Sequence, residues 1–535
     1  MSRSIASLAF EHRVDALFAP YAKPGSPGAV VGVMHSGSIE LCKGYGFASL
    51  ELGVPLAPST RFRIASVSKQ FTVTAALMLA AEGKLKLSEP PHKYLPELKP
   101  LAVSIDQMMR NSSGLPDFLE LLRLGGHGLD KPARPQDLFA AASRNGHLNF
   151  EPGSRFLYSN TNFLLLGLII EKLEGKRLGD VLAERIFRPL GMSSTMLAAE
   201  IDTVIPGLAT GYLGDAASGF RRAAHAYPQG GEGGLTSNVE DLLVWSRHFD
   251  EPRLLPKDLP AQLAALEPLT GGHANKYRRG VQSDQLRGFE TIGHGGLWPG
   301  FRTEFLRLPQ ADLTVVVIAN LGSIDPWRLA RAVAAIALEG DPRLTPAPAP
   351  LTQAEIEPLT GTWFSASEPS LFELAWRNGE VTVTQNGLPF ALARRADGWL
   401  AAERGSFEFA LTPDKPDSMQ VDLGAGRIVR FAKLQKRAPI PAELAGTYAS
   451  ADCGAVWEIK PDGDQCLVAV RGPLIAGGPR WPVAGIDPDT VEVTSPASWL
   501  TVTQLARLVR DAAGQVVALE VSTGRIKNMR FERQA

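Results

Sequence analysis

Ser66 and Lys69 stand three residues apart in Ser66-Val67-Ser68-Lys69, the only Ser-x-x-Lys tetrad of the 535-residue chain. At that spacing a helical turn points both side chains the same way, so an amine can activate a serine hydroxyl as a nucleophile. The tetrad lies where a loop meets an apolar, helix-periodic stretch. A helix start also offers unpaired N–H groups and partial positive charge, which suit a developing oxyanion. Taken alone, the tetrad fits Ser66 as a mere N-cap equally well. Two further elements raise its standing. Tyr158-Ser159-Asn160 is the only Tyr-x-Asn in the chain. A phenol next to a lysine can serve as a base, because the cation lowers its pKa, while burial lowers that of the lysine. Which of the two takes the serine proton is open at this level. His294-Gly295-Gly296 then precedes two strand-like segments, and its glycines would let a substrate approach a strand backbone closely. The other His-x-Gly, His35-Ser36-Gly37, reads as a hairpin turn.

These groups need a frame. Residues 28–48 alternate about the turn at 35–38 and predict a hairpin. Helical periodicity predicts helices over 66–82, stopped by Gly83, over 158–175, from Ser237-Asn238 onward through Leu242, Leu243 and Trp245, and over 326–339. Strands are expected at 302–308 and 313–319, the latter apolar enough to be buried on both faces. A proline-dense linker, 341–350, ends this region. Beyond it Leu359-Thr360-Gly361-Thr362-Trp363 recurs 85 residues later as Leu444-Ala445-Gly446-Thr447-Tyr448. Each copy closes on an expected basic strand, Gly426-Arg427-Ile428 to Phe431 and Gly524-Arg525-Ile526 to Phe531. The expectation is an α+β domain, an antiparallel sheet with flanking helices over 1–340, followed by two small antiparallel β-barrels over 351–437 and 441–535.

Composition excludes several classes. Lys plus Arg is 55 and Asp plus Glu 56, a formal net charge of -1, which argues against nucleic-acid or polybasic membrane-surface partners. Three cysteines, Cys42, Cys453 and Cys466, exclude a disulfide scaffold and fit a reducing compartment. The longest apolar run, 163–170, is far short of a membrane span, and Glu11, His12, Arg13 and Asp15 interrupt any leader-like stretch. A cytoplasmic protein is the expectation. The nine histidines show no paired zinc-type spacing, so no metal or other cofactor is expected.

In the order Ser66, Lys69; Tyr158, Asn160; His294, Gly296, the chain resembles the serine β-lactamase and penicillin-binding superfamily. The branch it looks most like holds class C β-lactamases, D-Ala-D-Ala carboxypeptidases, class VIII esterases and D-aminopeptidases. Asn111-Ser112-Ser113-Gly114-Leu115-Pro116, Ile186-Phe187-Arg188-Pro189-Leu190-Gly191-Met192 and Gly233-Gly234-Leu235-Thr236-Ser237 support this over roughly residues 8–338. The two trailing barrels are similar to those of bacterial D-aminopeptidases. The resemblance implies Ser66 as acyl-forming nucleophile, Lys69 as its activating partner and Tyr158 as proton relay to the leaving amine. It implies Asn160 as a hold on Lys69 or the substrate amide, and the backbone N–H groups of Ser66 and Leu297 as oxyanion hole. A small peptide, amide or ester is the implied substrate, and a homodimer is compatible with the resembled enzymes although nothing in the sequence marks an interface.

His294 stands where penicillin-recognising relatives usually carry lysine. A histidine largely neutral at pH 7 grips a carboxylate weakly, which argues for a substrate without a free acid near the scissile bond. An aminopeptidase also needs a counter-charge for the substrate ammonium, and Glu232 is the candidate, with a solvated loop acid as the alternative. In D-aminopeptidases a loop of the last barrel is expected to reach the active site. The matching stretch, 472–482, contains no carboxylate, and its Leu474 and Trp481 would favour an apolar side chain. The readings that follow are a D-stereospecific aminopeptidase or amidase, a class VIII-type esterase, a carboxypeptidase or β-lactamase-like enzyme, or a catalytically silent binding module.

Overall fold

In the computed structural model, residues 7–534 are described apart from 129, 199, 227, 396, 403–408, 416, 425, 464, 476 and 497–500. A six-stranded antiparallel sheet organises the first part of the chain. Its strands are β1 (Ala29–His35), β2 (Ser38–Tyr45), β3 (Gln282–Leu286), β4 (Phe289–Trp298), β5 (Phe301–Leu308) and β6 (Leu313–Ala319), in the order β3-β4-β5-β6-β1-β2. The early hairpin thus docks on the last strand, with Ala29 opposite Ala319 and His35 opposite Leu313. The helices that matter for the site are α1 (Leu8–Phe18), α2 (Lys69–Ala81), α3 (Phe118–Leu124), α4 (Asn160–Glu174), α5 (Val239–Asp250) and α6 (Pro326–Ala337).

The period-2 alternation of strands divides the core. Val31, Val33, Val315 and Val317 pack with Phe10, Val14 and Phe18 of α1 and Val333 of α6. Val30, Val316 and Ile318 belong to the opposite layer, with Leu242, Leu243 and Trp245 of α5 and Phe71 of α2. Every residue of β6 is buried, as its unbroken apolar run requires. Gly32 lets α5 seat directly on β1, since a Cβ there would lie 2.2 Å from Val239 Cγ1. Asn238 caps α5 by accepting from the Asp241 N–H at 2.8 Å.

Two expected helices start later than their periodicity suggests. Ala65–Ser68 is a 3-10 turn, and α2 begins at Lys69. Tyr158 precedes α4, and the chain at Ser159 is still extended. Helices α1 and α3 and strands β3 and β4 lie in segments where no element was expected. His294-Gly295-Gly296 precedes β5 and β6 as expected, and itself lies within a further strand, β4.

Past 341–350 two closed eight-stranded barrels follow, from Gly361–Ser365 to Ile428–Lys433 and from Gly446–Ser450 to Met529–Arg533. The repeated opening has one physical purpose in both. The aromatic residue of each first strand is buried and donates to the carbonyl four residues back, Trp363 Nε1 to Leu359 O at 2.9 Å and Tyr448 Oη to Leu444 O at 3.0 Å. The repeated closings are corrected. Gly426-Arg427 and Gly524-Arg525-Ile526 lie in loops ahead of the last strands, and Asn528, at φ 53, turns the chain sharply before Met529.

The second barrel sits on α3. Leu121 and Leu124 of that helix are part of the barrel's core cluster, and Trp457 Nε1 donates to Leu124 O at 2.8 Å. The stretch 472–482 takes part in this seat. A Cβ on Gly472 would lie 2.3 Å from Gly125 O, and Leu474 packs on the core of the first domain. Trp481 is buried inside the barrel against Trp457, at 6.0 Å between ring centroids. The expected specificity role of Trp481 is thereby overturned, because an indole closing a barrel core has no face left for a substrate; Ala476 of this stretch lies outside the described residues.

Candidate active site

Ala65 holds a positive φ of 48, sparsely populated for an L-residue, and so turns the chain sharply at Ser66. Ser68 stabilises this turn: its hydroxyl donates to Ala65 O at 2.6 Å and accepts from Leu235 N at 3.1 Å. The second serine of the tetrad is thus structural, and Ser66 remains partly exposed. One turn on, the fully buried Lys69 places Nζ 2.9 Å from Ser66 Oγ, 2.9 Å from Asn160 Oδ1 and 2.5 Å from Glu232 O.

That coordination carries a chemical consequence. Two of the three partners can only accept, so a neutral Lys69 would spend both its hydrogens on Asn160 and Glu232 and aim its lone pair at the Ser66 hydroxyl. Burial supplies the neutrality, drawing Lys69 down to about 7, with Glu232 and Asp117 opposing the shift and Arg525 adding to it. Tyr158 moves the other way. Its hydroxyl is buried without a partner among the described residues, and burial holds it above the ordinary phenol range, against the pull of Ser66 and Arg525. Lys69 Nζ lies 4.9 Å from the centre of the Tyr158 ring.

The motif Asn111–Pro116 holds the Tyr158 segment in place. Asn111, at φ 52, accepts from Ser159 N at 2.9 Å and from Asn162 Nδ2 at 2.8 Å. Asp117, with no exposure, accepts from Asn160 N at 3.0 Å and Asn160 Nδ2 at 2.9 Å. Asn160 is thereby fixed with its oxygen toward Lys69.

Strand β4 forms the opposite wall. Its pairing with β3 ends at Gly293, so residues 294–298 have β5 on one side and the Ser66 turn on the other. Gly296 is required for that approach, since a Cβ would meet Ile64 O at 2.3 Å. The close approach that this glycine permits is, in the structure, that of the backbone before the nucleophile. Leu297 follows on the same strand, opposite Arg302. His294 is 3% exposed and lowered to about 3 by burial and Lys69, hence neutral. Its Nδ1 lies 2.6 Å from Gly295 O, an obligate acceptor, so Nδ1 carries the proton and Nε2 accepts from Tyr277 Oη at 2.9 Å. Both ring nitrogens are spent.

Glu232 does not stand open to a substrate. It is 2% exposed, its carboxylate accepts from Gly230 N at 3.0 Å, and burial raises its pKa. Its backbone carbonyl contacts Lys69 directly, while its acid acts on that amine only through its charge. Three residues join the site unannounced by any motif: Asp117, Tyr277 and Arg525. The last comes from the second barrel. Its guanidinium lies 4.8 Å from the centre of the Tyr158 ring and pairs with Asp117 at 3.0 Å. Only the repeated Gly-Arg-Ile of the two barrels pointed to it, and there as part of a strand.

Such a site, a serine and a lysine one turn apart under an antiparallel sheet with a tyrosine from a second helix entrance, defines a class of serine hydrolases. The Beta-lactamase family model matches residues 14–339, more than half of the chain, and the chain belongs to that family. A D-aminopeptidase of Gluconobacter oxydans is 32% identical, over 59% of this chain and 59% of its own length. A D-aminopeptidase of Brucella canis is 26% identical, over 95% of this chain and 96% of its own. The D-amino acid amidase of Ochrobactrum anthropi SV3 shares the fold with a TM-score of 0.53 at 24% identity, covering 61% of this chain and 98% of the amidase. Among the described residues no helix is long and apolar enough to cross a membrane.

Proposed function

We propose that the chain is a D-stereospecific serine hydrolase of the aminopeptidase and amidase kind, releasing an N-terminal D-amino acid from peptides, amides or esters through an acyl-enzyme on Ser66. The observation that carries this reading is the Lys69 amine 2.9 Å from Ser66 Oγ, with its other contacts arranged to leave a lone pair there. End-to-end similarity to D-aminopeptidases supports the substrate class. Lys69 takes the Ser66 proton as Oγ attacks the carbonyl, and the N–H groups of Ser66 and Leu297 receive the oxyanion. Tyr158, kept protonated by burial, hands its proton to the leaving amine; in deacylation its phenolate takes a proton from the attacking water, and Lys69 returns the serine proton to Oγ as the acid leaves. A positioned base of this kind supplies about 10²–10⁴ in rate and one oxyanion donor about 10²–10³. The serine hydrolase domain spans 1–340 and the two barrels 351–437 and 441–535, the second of them lending Arg525 to the site, and the three free cysteines favour the cytoplasm.

Parallel turnover of D-Ala-, L-Ala- and N-acetyl-D-Ala-p-nitroanilide with p-nitrophenyl butyrate tests this. Cleavage confined to the free D-anilide is expected. Turnover of the L-anilide at an equal rate removes the stereospecific reading. A second reading, an amidase or esterase indifferent to the amino end, is favoured by one feature, the Glu232 carboxylate folded onto Gly230. Equal cleavage of the N-acetyl-D-anilide, or ester turnover alone, selects it.

A further inference from the structure

Arg525 is a cation that the first domain does not own and has nonetheless built a seat for. The loop 523–528 is held from four sides. Asn149 grips its backbone twice, donating to Arg525 O at 3.1 Å and accepting from Lys527 N at 2.8 Å. His147 Nε2 meets Lys527 O at 2.7 Å, Thr523 bonds Glu120, and Asp117 takes one Arg525 N–H. On the barrel side Ile526 is fully buried. A guanidinium fixed in this way needs no reordering when it meets a ligand.

Its donors are not used up. Guanidinium has five N–H groups, and among the described residues only Asp117 accepts from the Arg525 side chain. The side chain is 37% exposed, while Asp117 is wholly buried behind it, so the free donors face the open side. Among the described residues that line the site, the two other candidate cations are already committed. Lys69 is enclosed with its contacts spent, and His294, at the position where a carboxylate-binding lysine was looked for, is buried, neutral and committed at both nitrogens.

We propose that Arg525 receives a carboxylate on the leaving half of the substrate, so that the enzyme favours short peptides whose free acid lies one residue beyond the scissile bond over the matching amides. The proposal rests on the reading above in one respect, that Tyr158 protonates the leaving amine. A group lying on the Tyr158 ring then faces the leaving half. The carboxylate carbon of an amino acid is only about 2.5 Å from its own nitrogen, so an acid on the leaving residue comes within reach of a cation beside that phenol. This reverses the sequence-based expectation of a substrate without a nearby acid: the charge absent from β4 is supplied by the barrel.

The test is the ratio of kcat/KM for D-alanyl-glycine over D-alanyl-glycinamide, and for 3-acetoxybenzoate over 3-acetoxybenzamide, in the full-length protein. The wild type is expected to favour each acid by about 10- to 100-fold, the range of a charge-assisted hydrogen bond. Arg525→Gln should bring both ratios near one, and Arg525→Lys should restore part of the preference. Equal rates for acid and amide in the wild type would overturn the proposal. So would a uniform loss of rate in Arg525→Gln with the ratios intact, which marks Arg525 as only a positioning residue. Failure to cleave either D-peptide, with the benzoate preference present and lost in Arg525→Gln, sinks the aminopeptidase reading and leaves the carboxylate receptor standing.

Discussion

The two barrels carry the same arginine in the same loop and put it to different use. Arg427 in the first barrel pairs with Glu368 of that same barrel, and Arg155 of the first domain reaches the same carboxylate only at 3.6 Å. Arg525 in the second takes its carboxylate, Asp117, from the first domain and lies on Tyr158. The repeated loop thus uses its arginine as an anchor within the barrel in one copy and, in the other, presents it to the first domain beside Tyr158. The first barrel still contributes at a distance, since Asn386 lies against Gly524, where a Cβ would meet its Nδ2 at 2.9 Å. The lesson is that a fold repeat predicts where a side chain is presented, while the surface it faces decides what it does.

The difference between the two arginines rests most heavily on Asp117. Asp117→Ala removes a buried acceptor shared by Leu119 N, Asn160 and Arg525, and a cost of about 3–5 kcal/mol in urea unfolding is expected, together with loss of turnover. Retained stability would show that the pair with Arg525 is not the junction described. Next come the paired arginines: Arg525→Ala should lower kcat/KM for a D-peptide at least tenfold, whereas Arg427→Ala should stay within about twofold. Similar losses in both would erase the distinction. The pH profile sharpens it further. Wild-type kcat/KM should rise as pH climbs through about 7, because Lys69 must lose its proton before it can accept that of Ser66. Arg525 adds to the depression of Lys69, so Arg525→Gln should move that limb to higher pH; an unmoved limb would mean that the barrel's charge is not felt at the amine. The smallest effect is expected for Glu368→Gln, about 1 kcal/mol or less, since the pair it breaks is partly exposed.

Much of this was legible in the residues. Ser66, Lys69, Tyr158, Asn160 and His294 each sit in a short motif, and the structure gathers them within one cleft. The buried strand β6 and the repeated barrel openings follow from unbroken apolarity and from an aromatic residue tethered four residues back. Asp117 and Arg525 were not legible as partners. Their pairing spans 408 positions and depends on how a barrel docks onto α3, a tertiary fact with no local period. Tyr277 was hidden for a related reason, because a lone tyrosine ahead of a short strand carries no pattern until His294 is placed against it. The burial of Glu232 was not legible from its charge, since backbone geometry turns its carboxylate onto Gly230 and gives its carbonyl to Lys69.

The hydrolase reading turns on Ser66 Oγ as the atom that becomes acylated. Intact-protein and peptide mass spectrometry after treatment with a fluorophosphonate tests it most directly. A single adduct is expected on the peptide that holds Ser66 and none in Ser66→Ala; an adduct on another serine, or labelling that survives the substitution, would refute acylation at Ser66.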